Sequence, residues 1–232
     1  TETVFIECSA MYRKDGPESM SPVGETEFVN GLAAQSASGE YGNTKVASGI
    51  VGYADLSFGS KVEEVLEAHI AASPGRFRGI RNSSCWHPSP EITGYKNPPE
   101  GLLNSQKFRE GYAILGKLNL SFDAWLYHTQ IYELVDLANT FPEIPIIMDH
   151  IAGPIGIGPY TNKQNQAFEE WSKGISELAN CENVCIKLGG FGMPLDGRDW
   201  HNKKAPPTST ELAKAMAPYY EHCIESFGVD RC

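Results

Sequence analysis

Six short apolar segments, each followed by a stretch with helical periodicity, constrain the fold of this chain more than any other feature. The segments are rich in β-branched and aromatic residues and are bounded by turn-forming residues, as is typical of strands buried on both faces. They cover residues 3–8, 46–52, 77–81, 120–126, 144–150 and 184–188. Strands that alternate with helices in this way predict an α/β fold with a parallel sheet.

The stretches between these segments predict helices. Over residues 62–72, Val62, Val65 and Leu66 share one face with His69, as expected of an amphipathic helix. Ser105 is a suitable capping residue for a helix over residues 105–118. Further helices are expected over residues 25–38, 131–140, 165–179 and 210–227.

Two α/β architectures with a parallel sheet are consistent with this pattern, the doubly wound sheet and the barrel. A doubly wound sheet usually carries a glycine-rich fingerprint where an early strand meets its helix. The glycines of residues 153–158 imitate that spacing, but Pro154 interrupts them and no helix begins there. We therefore predict a (β/α)8 TIM barrel that forms a single domain over residues 1–232.

Three Pro- and Gly-rich stretches follow predicted strands, at residues 15–24, 89–101 and 189–207. Loops at the carboxyl ends of barrel strands build the active site, and loops of this length are uncommon unless they are functional. We expect these three loops to surround the site.

Charge and cysteine content narrow the class of protein. The formal net charge of −10 argues against a nucleic-acid partner, because binding to phosphates needs a surplus of Lys and Arg. No apolar run is long enough to cross a bilayer, and no secretory signal pattern precedes the first strand. The six cysteines are expected to be reduced, because a chain of this length needs no disulfides. We expect a cytoplasmic protein with a small-molecule substrate and no membrane partner. The sequence does not decide whether the protein forms a homodimer.

His150 is the first candidate for the chemistry, because it ends a predicted strand before a Gly-Pro loop. An imidazole at the carboxyl end of a barrel strand can bind a metal or act as a general base. Successive strand residues face opposite sides, so Asp149 and His150 cannot both point inward. The alternative is a hydrogen-bonded structural histidine.

Arg81 and Arg78 end the third strand with opposite parity, so only one of them faces inward. An inward Arg81 suits a substrate carboxylate or a polarised carbonyl. The alternative is an ion pair with an acid of a neighbouring strand. Lys187 also lies in an apolar strand and needs a partner. Both a functional role and an ion pair inside the barrel are open, and Glu7 is a candidate for the acid of that pair.

The fourth strand ends in a cluster of aromatic and polar residues, Trp125, Tyr127 and His128. Tyr127 or His128 could donate a hydrogen bond to substrate. Trp125 is the more typical packing residue, since an aromatic side chain at a barrel rim often serves only the core. No Gly-x-Ser-x-Gly motif is present, so a serine-hydrolase triad is not expected.

With these strands in place, the chain resembles the amidohydrolase-related family of metal-dependent TIM-barrel hydrolases. That family includes sugar lactonases and 2-pyrone-4,6-dicarboxylate lactonase, and it is similar to the aminocarboxymuconate-semialdehyde decarboxylases. The motifs that carry the resemblance are, in chain order, VFIECSAMYR, PVGETEFVNG, GIVGYADL, RFRGIR, LSFDAWLYH, IIMDHIAGP and CIKLGGFGMP.

The resemblance implies roles for four residues. His150 matches the family histidine that binds metal or contacts substrate near the scissile carbonyl, so it is expected to be both catalytic and a metal ligand. Arg81 matches the arginine that binds substrate in lactonase relatives. Tyr127, with His128 beside it, falls near an aromatic residue used for substrate contact.

Two family motifs do not occur in these residues: a His-x-His in the first strand and an Asp in the last strand. The resemblance therefore implies an incomplete barrel that lacks its first and last strands. For the intact parent it implies a divalent metal, zinc, and a water that opens a lactone. Because one imidazole cannot hold a metal tightly, we expect this exact chain to bind none tightly, to be inactive and to be poorly stable.

Two alternatives to the lactonase remain. A non-oxidative decarboxylase would use the same scaffold, since Arg81 suits either substrate. A non-catalytic barrel remnant would instead act as a binding subunit.

Overall fold

The computed structural model describes residues 1–93 and 96–232, which form two compact units. Unit 1 comprises residues 1–82 and 105–123, and unit 2 comprises residues 83–104 and 124–232. The prediction of a single domain stays a prediction. Residues 94 and 95 of the predicted 89–101 loop lie outside the described part of the chain.

Unit 1 is built from parallel strands that alternate with helices, as predicted. Its strands are adjacent in chain order, each paired in parallel with the next. In chain order the elements are β1 (Glu2–Ile6), α1 (Val23–Ala37), β2 (Lys45–Gly52), α2 (Val62–Ala72), β3 (Phe77–Arg81), α3 (Gln106–Lys117) and β4 (Ser121–Ala124).

The core of unit 1 forms where the apolar faces of the helices cover the strands. Phe108 and Tyr112, four residues apart on α3, share one face of that helix. Both rings meet Phe122 of β4 edge to face, with the Tyr112 and Phe122 centroids 5.2 Å apart. Ser105 caps α3 as expected, since its hydroxyl accepts from the backbone N–H of Phe108. The helical periodicity therefore predicted both the element and its buried face.

β1 is the most exposed strand of unit 1. Residues 2–4 are exposed, and the side chain of Val4 is 62% exposed, whereas the last four residues of β2 are buried. The apolar sequence of residues 3–8 suggests a strand buried on both faces, but β1 is not buried in this way.

Unit 2 contains two parallel strands and three helices over its described residues. The elements are α4 (Ile131–Thr140), β5 (Ile146–Met148), α5 (Gln164–Ala179), β6 (Val184–Ile186) and α6 (Ser209–Phe227). Ile146 and Val184 are register partners in the β5–β6 pair. Trp171 of α5 is fully buried and lies against Tyr219 of α6, with ring centroids 4.8 Å apart.

All six predicted strands are confirmed, and four of them, β1, β4, β5 and β6, are shorter than predicted. β4 ends at Ala124 rather than at residue 126, and β5 ends at Met148 rather than at residue 150. After β5 the chain turns at once into a short 3-10 segment, and after β4 such a segment begins at His128. An apolar sequence alone does not reveal these segments. The helices agree with prediction to within two residues at their ends.

Two further expectations can be compared with the structure. All six cysteines have free thiols. Among the described residues, no helix combines the length and the apolar character that crossing a bilayer requires.

Candidate functional site

In unit 1, the carboxyl end of β3 carries Arg81, whose guanidinium binds Glu7. Nε of Arg81 donates to Oε1 of Glu7 at 3.0 Å, and Nη2 donates to the main-chain carbonyl of Glu7 at 2.6 Å. The Glu7 side chain is only 2% exposed. A carboxylate so far from water needs a cationic partner. Arg81 therefore makes an ion pair with an acid, which is the alternative stated from the sequence, and it holds the chain after β1. Its role in substrate binding stays a prediction.

Arg78 confirms the parity argument. It is exposed and donates to the carbonyl oxygens of Gly75 and Phe77, away from Glu7. Arg81 is the arginine that faces the buried acid. Asp123, its register partner on β4, is 1% exposed.

Glu25 is a residue that sequence reasoning missed. Its Oε1 accepts from the backbone N–H groups of Cys8 at 3.1 Å and Ala10 at 2.7 Å, and the residue is 1% exposed. This carboxylate shapes the chain immediately after Glu7. The available signal was an acidic residue in the first turn of α1, a position that usually indicates helix capping rather than loop binding.

In unit 2, His150 lies in a left-handed turn that follows β5. The φ angles of His150, Ile151 and Ala152 are 53°, 48° and 57°. This region favours glycine and is costly for a β-branched residue such as Ile151. The prediction that His150 ends a strand is therefore wrong, and strand alternation does not govern Asp149 and His150. Such strain is typical of segments whose geometry serves a function.

The imidazole of His150 is held by an aromatic ring and a glycine. The indole of Trp125 meets it edge to face, with centroids 4.8 Å apart. A Cβ built at Gly190 would lie 2.5 Å from both Cβ and Cγ of His150. His150 is nevertheless only half-buried. The ring is thus fixed by packing while part of it remains accessible, as a catalytic imidazole requires.

Tyr127 is buried, and its hydroxyl donates to the carbonyl of Thr93 at 3.0 Å. Burial raises the pKa of Tyr127 to about 12, so the phenol stays protonated at neutral pH. Trp125 lies between Tyr127 and His150, 6.2 Å from the former ring. The structure therefore brings Tyr127 and His150 together through Trp125. The role of Tyr127 in substrate binding stays a prediction.

His128 is enclosed by protein atoms. Its side chain has no exposed surface, and its Nδ1 accepts from the N–H of Ile155 at 3.2 Å. The proton of the neutral ring is therefore assigned to Nε2, which lies 3.8 Å from the carboxylate of Glu170. Burial lowers the pKa of His128 to about 4, so the ring is neutral at pH 7. Its predicted contact with substrate stays a prediction and would require the ring to become accessible.

Lys187 finds an acidic partner, as its apolar strand context predicts. Nζ of Lys187 lies 2.6 Å from Oδ1 of Asp149, which is fully buried. Glu7, the partner considered from the sequence, binds Arg81 in unit 1. Because Asp149 and His150 are adjacent, the ion pair anchors the start of the left-handed turn to the end of β6.

The described residues do not form a metal site. No group of three His, Cys, Asp or Glu side chains that could hold a metal ion occurs within residues 1–93 and 96–232. Catalytic zinc sites normally use three protein ligands. His150, the predicted metal ligand, would thus need further ligands from outside the described residues. The described residues alone do not fit the metal that the resemblance implies.

Comparisons with known proteins agree on one family. A family model described as amidohydrolase matches residues 33–232. An uncharacterised protein of Sinorhizobium fredii, y4mH, is 32% identical over 222 residues, which cover 96% of this chain. An L-fucono-1,5-lactonase of Burkholderia ambifaria is 26% identical over 192 residues, which cover 78% of this chain.

A solved structure shows the same fold. An amidohydrolase of Burkholderia multivorans with bound zinc superposes with a TM-score of 0.65 at 19% identity, over 89% of this chain and 61% of that one. The chain spans 64% of the length of y4mH and 59% of the length of the lactonase.

Proposed function

Because the chain belongs to the amidohydrolase family, we propose that it is part of a hydrolase that opens a lactone or related cyclic ester of a sugar acid or an aromatic breakdown product. Hydrolysis adds water across the ring ester. The bond between the acyl carbon and the ring oxygen breaks, the ring oxygen takes a proton, and the new carboxylic acid releases one at neutral pH. The similarity to the B. ambifaria lactonase supports this substrate class.

The observation that carries the proposal is the placement of His150. It is a half-buried imidazole immediately after β5, oriented by Trp125 and Gly190. An imidazole in such a position can donate a hydrogen bond to an ester carbonyl or exchange a proton near neutral pH. We assign substrate binding to Arg81, Tyr127 and His128. Arg81 suits the carboxylate or carbonyl oxygens because its guanidinium offers a planar set of donors.

We further propose that the parent protein is a complete (β/α)8 barrel, whose first and last strands are not among these 232 residues. The lengths of the relatives and the exposure of β1 support this arrangement. In such a parent, a divalent metal, zinc, would join His150 with ligands from the additional segments. The 232 residues alone would then turn over little substrate.

The proposal is tested by assaying the parent protein on a panel of sugar-acid 1,4- and 1,5-lactones, with a pH indicator to follow proton release. We expect turnover with at least one lactone, and a loss of about a hundredfold or more in His150→Asn. Arg81→Met should raise KM more than it lowers kcat. Release of carbon dioxide without proton release would contradict the lactonase hypothesis and support the decarboxylase.

One observation favours a second candidate function. The described residues hold no complete set of metal ligands, which suits a non-catalytic subunit that only binds a small molecule. Sequencing the DNA on both sides of the coding segment separates the two. In-frame strands with a His-x-His motif upstream and an Asp downstream support the hydrolase, whereas their absence supports the binding subunit.

A further inference from the structure

Unit 2 contains a cavity that includes none of the candidate residues described above. Its volume is about 530 Å³, which lies within the range of small-molecule sites. The wall consists of the starts of α5 and α6 together with the loop after β6. Among its lining residues are Arg198, Trp200, Phe168, Tyr219, Lys214 and Gln164.

The cationic part of the wall is built around Arg198. Its guanidinium carbon lies 5.0 Å from the ring centre of Phe191 and 5.6 Å from that of Trp200, so two aromatic faces hold it in place. Nη2 makes one long hydrogen bond, 3.4 Å, to the carbonyl of Ala215. Nε lies 4.0 Å from Asp196, beyond hydrogen-bond distance, and has no acceptor among the described residues. Arg198 is thus held between two aromatic rings and interacts with the side chain of Tyr219, while its buried Nε has no acceptor among the described residues.

Two acids lie near this wall, and hydrogen bonds to neighbouring groups orient both of them. The carboxylate of Asp196 accepts from the backbone N–H groups of Gly192 and Arg198, each at 2.9 Å. Glu211 lines the cavity, but its Oε2 accepts from N–H and Oγ1 of Thr208 in the capping box of α6. These hydrogen bonds lower the pKa of Glu211, so it stays ionised at the start of that helix. Among the lining residues described, the two cations Arg198 and Lys214 outnumber this one acid.

The start of α5 adds a second source of positive potential. Gln164 and Asn165 open this helix and line the cavity, and no side chain of the N-cap residue binds the N–H groups of the first turn. Free N–H groups at a helix start attract anions. Lys214, exposed on the first turns of α6, contributes a further charge from the opposite helix.

From this combination we propose that the cavity binds a small organic anion in which a carboxylate or phosphate is joined to a flat apolar body. The anionic group binds Arg198 and Lys214 at the start of α5, and the flat body packs on Trp200 and Phe168. A purely apolar ligand would leave the cations without a partner, and a small inorganic anion would leave the aromatic faces uncovered. The site does not depend on the proposed hydrolase activity.

The test is titration calorimetry on the 232-residue chain with four small-molecule probes. The probes are 2-naphthoate, its neutral amide, acetate and naphthyl phosphate. We expect naphthoate to bind at least about tenfold more tightly than either the amide or acetate, since each lacks one half of the recognised chemistry. The phosphate probe shows which anionic group is preferred.

Variants locate the site. Arg198→Gln and Lys214→Gln should each weaken naphthoate binding, by about tenfold and by severalfold respectively. Lys173→Gln removes the same charge from an exposed position of α5 outside the cavity and should leave the affinity unchanged. The indole N–H resonance that disappears in Trp200→Phe should shift when naphthoate is added to the unmodified chain.

Equal affinities for naphthoate and its amide would overturn the proposal, as would an equal loss in Lys173→Gln and Lys214→Gln. Lys214 is exposed, so its variant tests the site even where Arg198→Gln perturbs the loop. A naphthoate titration that leaves the Trp200 resonance in place while shifting others would put the ligand elsewhere.

Discussion

Gly190 packs directly against His150, in contact that leaves no room for a methyl group at position 190. A Cβ there would lie 2.5 Å from Cβ and Cγ of the histidine, and closer still to Nδ1. The φ of Gly190 is +73°, a conformation that also disfavours any other residue. A glycine after β6 therefore decides where the candidate catalytic imidazole after β5 can lie.

Gly190→Ala should displace the His150 ring and destabilise the chain by about 1–2 kcal/mol, because alanine is strained at this φ. The imidazole resonances of His150 in ¹H–¹⁵N spectra report the displacement, and urea unfolding reports the stability. Gly189→Ala is the matched control, since a Cβ at Gly189 meets nothing within 4 Å. Unchanged His150 resonances in Gly190→Ala would contradict the positioning role.

Removal of the acid should cost far more in the ion pair between Glu7 and Arg81 than in the pair between Glu2 and Lys45, although both join atoms 3.0 Å apart. Glu7→Ala leaves the partly buried guanidinium without its carboxylate and should cost about 3 kcal/mol. Glu2→Ala breaks an exposed pair and should cost less than about 1 kcal/mol. Urea unfolding followed by circular dichroism measures both, and similar costs would refute the assigned role of burial.

Stability should fall as the pH is lowered from about 6.5 to about 4. Burial lowers the pKa values of His69 and His128 to about 4, from the ordinary value of 6.5. Between these values the unfolded chain binds more protons than the native one, so protonation favours unfolding. At about 1.4 kcal/mol per pKa unit, each histidine accounts for about 3 kcal/mol across this window.

Unfolding free energies measured by urea titration at pH 4.5, 5.5, 6.5 and 7.5 check this dependence. His69→Gln should reduce the slope by about half, since one of the two buried histidines is then removed. His201→Gln is the control, because that histidine is exposed on a loop. A slope that is the same in all three proteins would show that other groups govern the acid sensitivity.

Tyr127→Phe should cost about 1 kcal/mol of stability, because the carbonyl of Thr93 loses its part-buried hydrogen bond from the phenol. Tyr132→Phe is the control, since that side chain is 58% exposed. If the parent protein binds a lactone as proposed, and that affinity falls in Tyr127→Phe but not in Tyr132→Phe, Tyr127 has the predicted role in substrate binding. A change confined to stability would leave it a structural residue.

The strand–helix alternation, the helix faces and most element boundaries follow from local sequence. A parallel strand buried on both faces needs a continuous apolar run, and an amphipathic helix needs its 3.6-residue period, so both leave direct signals. α2 and α4 agree with prediction at both ends. The length of the chain likewise predicted reduced cysteines, and the apolar surroundings of Lys187 predicted that it pairs with an acid.

What the sequence by itself determined is thus the α/β class, the order of its elements and the types of side chain available for chemistry. Only the tertiary structure decided how those side chains are oriented. The left-handed turn at His150 depends on contacts with Gly190 and Trp125 and on the anchoring of Asp149 by Lys187, all of them distant in sequence. Packing of this kind overrides the intrinsic preference of a residue such as Ile151, and it has no local periodicity from which it could be predicted.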